Sequence, residues 1–306
     1  MRDWWQDLTD LVLPAECGGC GRPRAVLCAR CRGALSGAGP CRVRPVPEPA
    51  GLPPVHAAAR YADEVRATLL AHKERGALAL SRPLGEALAD AVRAGLRAAR
   101  TPCAGDGGPS AGPRPVLLVP VPSARRAVRA RGHDPARRIA YAAAGELRRS
   151  GVPVRVLSAL RQRRDVADQS GLGSRQRLAN LAGALTVTRG CERLLSAGRV
   201  VLVDDLMTTG ASLAEAARAV RGRAWAPAPD PDPGSGSSIS GPAFVYRGET
   251  GERRGEQRNG PVQQRAGRRS GRPSGTAGAE GAEGITDVMC AAVVAASPDA
   301  FEISRN

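Results

Sequence analysis

The segment Arg199-Val-Val-Leu-Val-Asp-Asp-Leu-Met-Thr-Thr-Gly-Ala-Ser212 constrains the fold more than any other part of the chain. Val200 to Val203 form a short continuous apolar run, of the kind buried on both faces of a parallel sheet. Two acids, Asp204 and Asp205, close that run. A loop of small residues, Thr208 to Ser212, comes next, and Leu213, Ala216, Ala217 and Val220 then recur on one helix face. The segment reads as buried strand, loop and helix. Val116-Leu-Leu-Val119 is a second apolar run of this type, and Val288-Met-Cys-Ala-Ala-Val-Val294 a third. Leu84, Leu88, Val92 and Leu96 stand at helical intervals before them. Such alternation predicts an α/β fold, a mostly parallel sheet flanked by helices.

The loop has the makings of an anion cradle. Backbone N–H groups at a helix N-terminus point outward, where the dipole favours negative charge. Thr208, Thr209 and Ser212 add hydroxyl donors, Gly210 lets the backbone approach closely, and Ala211 adds no bulk. The acids fall where open α/β sheets bind ligands, at the carboxyl end of a strand. Carboxylates accept hydrogen bonds from a diol but repel a bare anion, so the pair narrows the ligand to a sugar phosphate. A plain turn with Ser or Thr capping the helix explains the loop and leaves the two acids unexplained. Upstream, Val119-Pro-Val-Pro-Ser-Ala-Arg-Arg126 leaves a strand into a basic turn. The plain reading is solvated arginines. By its place in the order the turn resembles the pyrophosphate loop of type I phosphoribosyltransferases, a resemblance that implies Arg125, Arg126 and Arg131 as candidates for the anionic end of the ligand.

Cys17-Gly-Gly-Cys20 and Cys28-Ala-Arg-Cys31 are two C-x-x-C knuckles seven residues apart. Four thiolates on paired turns suit tetrahedral Zn²⁺ in a structural role, in preference to a redox pair. Cys41 has no partner at that spacing, and Cys290 reads as strand core.

Composition sets the remaining bounds. Aromatics make up 3% of the chain, so the core must be built from Val, Leu and Ala. The net charge is +16, and Lys73 is the only lysine among 45 basic side chains. Residues 1–221 hold 35 basic and 19 acidic side chains, which is the whole of that excess. Positive charge on the folded body suits a polyanion, either a pyrophosphate or a nucleic-acid backbone. No run of about 18 apolar residues is present, so no membrane insertion is expected and the setting is read as cytoplasmic and reducing. Three parts are expected: an N-terminal helix with the zinc-knuckle module at 1–50, an α/β domain over 55–221 and 285–306, and a disordered insertion at 222–284. The insertion is rich in Gly, Pro, Ser, Arg and Glu.

The Arg199–Ser212 segment resembles the signature of type I phosphoribosyltransferases that binds 5-phosphoribosyl-1-pyrophosphate. That resemblance implies that Asp204 and Asp205 hold the ribose hydroxyls at the catalytic centre, while Thr208, Thr209, Gly210, Ala211 and Ser212 hold the 5-phosphate. The polar stretch Arg161 to Asn180 resembles the loop that closes over substrate, with Gln169 and Arg175 at recurring positions. With the cysteine knuckles, a helix over Tyr61 to Leu84 containing Lys73-Glu-Arg-Gly76, the Pro120 loop and the Arg131-Gly132 turn, the chain resembles the ComF/GntX group. Where that group has Arg-Gly-Phe-Asn-Gln, this chain has Arg131-Gly-His-Asp-Pro135. The resemblance implies a phosphoribosyltransferase that uses Mg²⁺ with the pyrophosphate. Its alternative is a non-catalytic sensor of the same ligand or a nucleotide, acting with DNA and a helicase partner in DNA uptake during competence.

Overall fold

The computed structural model describes residues 16–99, 114–164, 174–222 and 288–305. The expected N-terminal helix, most of the linker over 101–115, Gln169, Cys103 and all but the first residue of the 222–284 insertion lie outside these residues.

The chain opens with α1 (Ala29–Ser36) and β1 (Cys41–Val43), then β2 (Val55–Arg60), α2 (Asp63–Glu74), a 3₁₀ turn (Leu78–Leu80) and α3 (Ser81–Ala98). There follow β3 (Val116–Pro120), α4 (Arg125–Arg131), α5 (Pro135–Arg149), β4 (Val154–Val156) and β5 (Leu160–Gln162). The rest is α6 (Ser174–Leu181), β6 (Leu185–Val187), α7 (Glu192–Ser196), β7 (Arg199–Met207), α8 (Ala211–Val220), β8 (Val288–Ala296) and a closing 3₁₀ helix (Pro298–Arg305). The single helix expected over Tyr61 to Leu84 is two helices, because Gly76 turns into the left-handed region at φ +66° and ends α2. The stretch from Arg161, expected as loop, starts as a strand and resumes as α6.

Six strands form one sheet in the order β1-β2-β8-β7-β3-β4. Only the β1–β2 pair is antiparallel; β2–β8, β8–β7, β7–β3 and β3–β4 are parallel. β8, the third apolar run, enters the middle of the sheet, and its described side chains are almost wholly buried. β5 and β6 pair separately as a short antiparallel ribbon.

Each face of the large sheet has its own core. Leu84, Leu88 and Val92 of α3 pack with Ile139, Ala143 and Leu147 of α5 on one face, and all six side chains are 0% exposed. The helix spacing legible in the sequence is the cause: apolar residues four apart make one stripe, and truncating such a leucine costs about 2–5 kcal/mol. On the opposite face Leu213, Ala216, Ala217 and Val220 of α8 pack with Leu160 and Leu185 of the ribbon and with Val200 and Leu202. Among the described residues no helix is long and apolar enough to cross a membrane.

Candidate functional site

β3 and β7 are adjacent and parallel, yet the chain leaves them toward opposite faces, to α5 after β3 and to α8 after β7. Divergence of this kind opens a crevice at the carboxyl ends of the two strands. Their pairing stops at Pro120↔Val203, with one more bond where the Val121 N–H donates to the Val203 carbonyl at 2.9 Å. Pro120 and Pro122 have no N–H to extend the ladder. β7 itself continues, paired with β8 as far as Met207↔Ala296. The expectation that the strand ends in the two acids is thus corrected: β7 runs on to Met207, and it is the neighbour β3 that ends beside them. Asp204 and Asp205 lie at the mouth of the crevice for that reason.

Asp205 is 7% exposed, and its backbone N–H donates to the Asp204 Oδ1 at 2.9 Å. Burial, and then the charge of Asp205, push the Asp204 carboxyl well above the usual carboxylate range. Two close carboxylates resist ionising together, and a positive charge or a hydroxyl donor relieves that conflict. Lys73, in the last turn of α2, supplies the charge: its Nζ is 3.4 Å from the Asp205 Oδ2. The Asp205 charge raises the Lys73 ammonium in turn. Sequence reasoning left Lys73 out of the site, although a sole lysine among arginines was a signal in plain view.

Arg131, expected at the site, stands beside this pair; it faces Glu74 at 3.7 Å, and its charge acts on Lys73. Its Nη1 is buried with no hydrogen-bond partner among the described residues. His133 follows, its ring held between the carbonyls of Arg131 and His72 at 3.2 Å each. Burial, and then the charge of His133, press His72 down to about 4, so it is neutral. Asp134 accepts the Arg137 N–H at 3.2 Å as the N-cap of α5, and the Ser123 N–H at 3.3 Å. Asp134 thus has a structural job.

The cradle loop follows Met207. Gly210 sits at φ +75° and is itself the N-cap of α8, so no side-chain hydroxyl caps that helix. The plainer alternative, a Ser or Thr cap, is not what this loop forms. Thr208 is exposed, Thr209 and Ser212 are half-buried, and Ala211 is buried as the first residue of α8. A Cβ at position 210 would lie 3.1 Å from Leu52 and 3.2 Å from Pro45. The Pro-rich segment Pro45 to Pro54 therefore roofs the loop, and Arg221 ties it down by donating to the Gly51 carbonyl at 2.8 Å. Periodicity could not reveal this contact, because the segment has none.

Arg125 opens α4 and donates to the Gln162 carbonyl at 3.3 Å. With Arg129, Arg161, Val128 and Leu160 it lines a cleft of about 330 Å³ next to the end of β3. Arg126, beside it, is exposed. Of the residues expected on the closing loop, Gln169 is outside the described residues and Arg175 has only its backbone placed, in α6. The ribbon that bounds this region is fastened to the cradle helix. Buried Glu215 of α8 accepts the Leu185 N–H at 2.9 Å and Arg218 Nε at 2.7 Å.

No protein-family model matches this chain, and a search of curated proteins found no match.

The second candidate centre is the cysteine cluster. The Sγ atoms of Cys17, Cys20, Cys28 and Cys31 all lie within 4.8 Å of one another. A tetrahedral Zn–S site with bonds of about 2.3 Å needs sulfurs about 3.8 Å apart, so the four could hold a metal ion. Burial opposes ionising Cys17, but N–H groups of Cys28, Cys20 and Gly19 outweigh it and bring the thiol down to about 6. Gly19 is required by close approach, since a Cβ there would meet Cys31 Sγ at 2.7 Å and Thr68 Oγ1 at 3.0 Å. Cys41 is exposed and not in the cluster; Cys290 is buried in β8, as expected. The cluster shares the first core with α2, and Arg30 is ion-paired to Glu64 of that helix.

Proposed function

We propose that the chain binds 5-phosphoribosyl-1-pyrophosphate, or a related ribose phosphate, in the crevice between β3 and β7, and is a phosphoribosyltransferase-like protein of the ComF/GntX kind. The supporting observation is the pair Asp204 and Asp205 inside β7, beside the point where β3 ends, with the loop over residues 208–210 leading from that strand to a helix N-terminus that no side-chain hydroxyl caps. The carboxylates accept the two ribose hydroxyls, and N–H and hydroxyl groups over Thr208 to Ser212 take the 5-phosphate. Arg125 and Arg126 at the start of α4 and Arg131 at its end take the pyrophosphate. In the reaction the acceptor's lone pair forms the bond to C1 of the ribose as the C1–O bond to pyrophosphate breaks. Mg²⁺, when bound with the ligand, neutralises charge on the departing pyrophosphate. The chain's own contribution is positioning and electrostatics, with no side-chain nucleophile. The four cysteines are read as a structural zinc centre that braces the first core.

Affinity for ribose 5-phosphate against inorganic phosphate tests the site directly. The sugar is expected to bind at least about tenfold more tightly, since only it satisfies the acids; equal affinities overturn the ribose reading. One observation favours a second, non-catalytic reading, in which the site senses the ligand while the body engages DNA: the whole net charge of +16 sits on residues 1–221. Pyrophosphate release across a panel of acceptors decides for turnover, and a steep salt dependence of DNA binding without release decides for the sensor.

A further inference from the structure

Lys73 is the one lysine in a chain that otherwise uses arginine for every basic side chain. We infer that Lys73 is a positioning residue for the acid pair, holding the Asp205 carboxylate in place for a sugar hydroxyl. This rests on the ribose-phosphate reading and adds to it a residue from an element outside the strand-loop-helix. The ammonium lies 3.4 Å from Oδ2 of a carboxylate that is only 10% exposed. A guanidinium fork would cover both carboxylate oxygens, whereas one ammonium contact fixes the group and occupies a single oxygen.

The backbone beneath Lys73 is pinned on several sides. The His72 carbonyl lies 3.2 Å from His133 Nε2, His72 Nε2 lies 3.0 Å from Ser81 Oγ, and Glu74 faces Arg131 at 3.7 Å. At its other end α2 is held by Arg30 on Glu64 and by buried Val65 and Leu69. The ammonium is thus presented to Asp205 by a fixed helix end and not by a free side chain. The charged and titratable groups around the contact are Asp204 on the same strand, His72 and Lys73 on α2, and Arg131 on α4. Of these only Lys73 is ion-paired with Asp205 among the described residues. Without it two adjacent carboxylates must share the site without that counter-ion, and the Asp204 carboxyl, already raised by burial and by Asp205, loses the charge of Lys73 that lowers it.

The consequence is a shift in pH dependence that a merely structural lysine would not cause. Calorimetric titration of 5-phosphoribosyl-1-pyrophosphate with Mg²⁺ between pH 6 and 9 compares wild type, Lys73→Met and Lys73→Arg. Lys73→Met is expected to bind about tenfold more weakly at neutral pH, the order reached for a desolvated charge pair, and to recover as pH rises. Lys73→Arg keeps the charge and with it the wild-type pH profile. Its fork covers both carboxylate oxygens, so it is expected to bind more weakly than wild type across the range. Folding of the variants does not limit the test, because reductive ¹³C-methylation of wild type labels one lysine, whose signal is expected to shift on ligand addition. Wild-type binding with an unchanged Lys73→Met profile, or a methyl-lysine signal blind to bound ligand, overturns the role of Lys73. No binding by wild type overturns the ribose-phosphate reading itself.

Discussion

Replacing Gly210 by alanine tests whether the cradle loop is built as described. The residue sits at φ +75°, and an L side chain there costs about 1–2 kcal/mol. The new methyl would lie 3.1 Å from Leu52 and 3.2 Å from Pro45, inside the carbon–carbon optimum of about 3.5–4.0 Å. Displacing the Pro-rich roof adds about 1 kcal/mol, at the low end for overpacking, since one neighbour is a leucine tip. The lower entropy of the unfolded alanine chain returns about 0.4–1 kcal/mol. The net loss is about 2 kcal/mol, equivalent to a fall of about 4–8 °C in Tm for a body of this size. Thermal unfolding followed by circular dichroism reads it. In a Leu52→Ala background the same substitution is expected to cost only the backbone part, about 1 kcal/mol. Gly210→Ala melting together with wild type, or an equal cost in both backgrounds, refutes the left-handed, roofed loop.

Other expectations are more local. Glu215→Ala leaves Arg218 and the Leu185 N–H without their buried acceptor and is expected to cost about 3 kcal/mol in urea unfolding, with Glu215→Gln milder because it can still accept from Leu185. Asp204→Asn is expected to raise Tm at pH 8 while abolishing ligand binding. An acid raised by burial opposes folding above its unfolded pKa, so the gain fades as pH falls and Asp204 becomes protonated. Elemental analysis is expected to find one zinc per chain, lost in Cys28→Ser, and zinc affinity is expected to weaken as pH falls because thiolates must be deprotonated to bind.

The fold class and the crevice were legible in the chain because each rests on local pattern. Three apolar runs announced strands in the large sheet, and the Leu84-to-Leu96 stripe announced the helix covering it. What local pattern could not supply was which strand stops where. Asp204 and Asp205 were read as a strand end, yet they lie inside β7, and the opening beside them is made by Pro120 in another strand. Lys73 was missed for a related reason. It stands about 130 residues from Asp205, and only the packing of α2 against the sheet joins them. The roof over Gly210 by Pro45 and Leu52 has neither periodicity nor charge to advertise it. The cysteine cluster was the easiest to read, because two C-x-x-C turns carry their geometry in their spacing.

The central claim is that the paired acids hold a ribose. Isothermal titration of wild type and Asp204→Ala/Asp205→Ala with 5-phosphoribosyl-1-pyrophosphate and Mg²⁺ tests it most directly. Saturable one-site binding by wild type and its loss in the double variant is the expected result. Absence of binding by wild type, or unchanged affinity in the double variant, contradicts it.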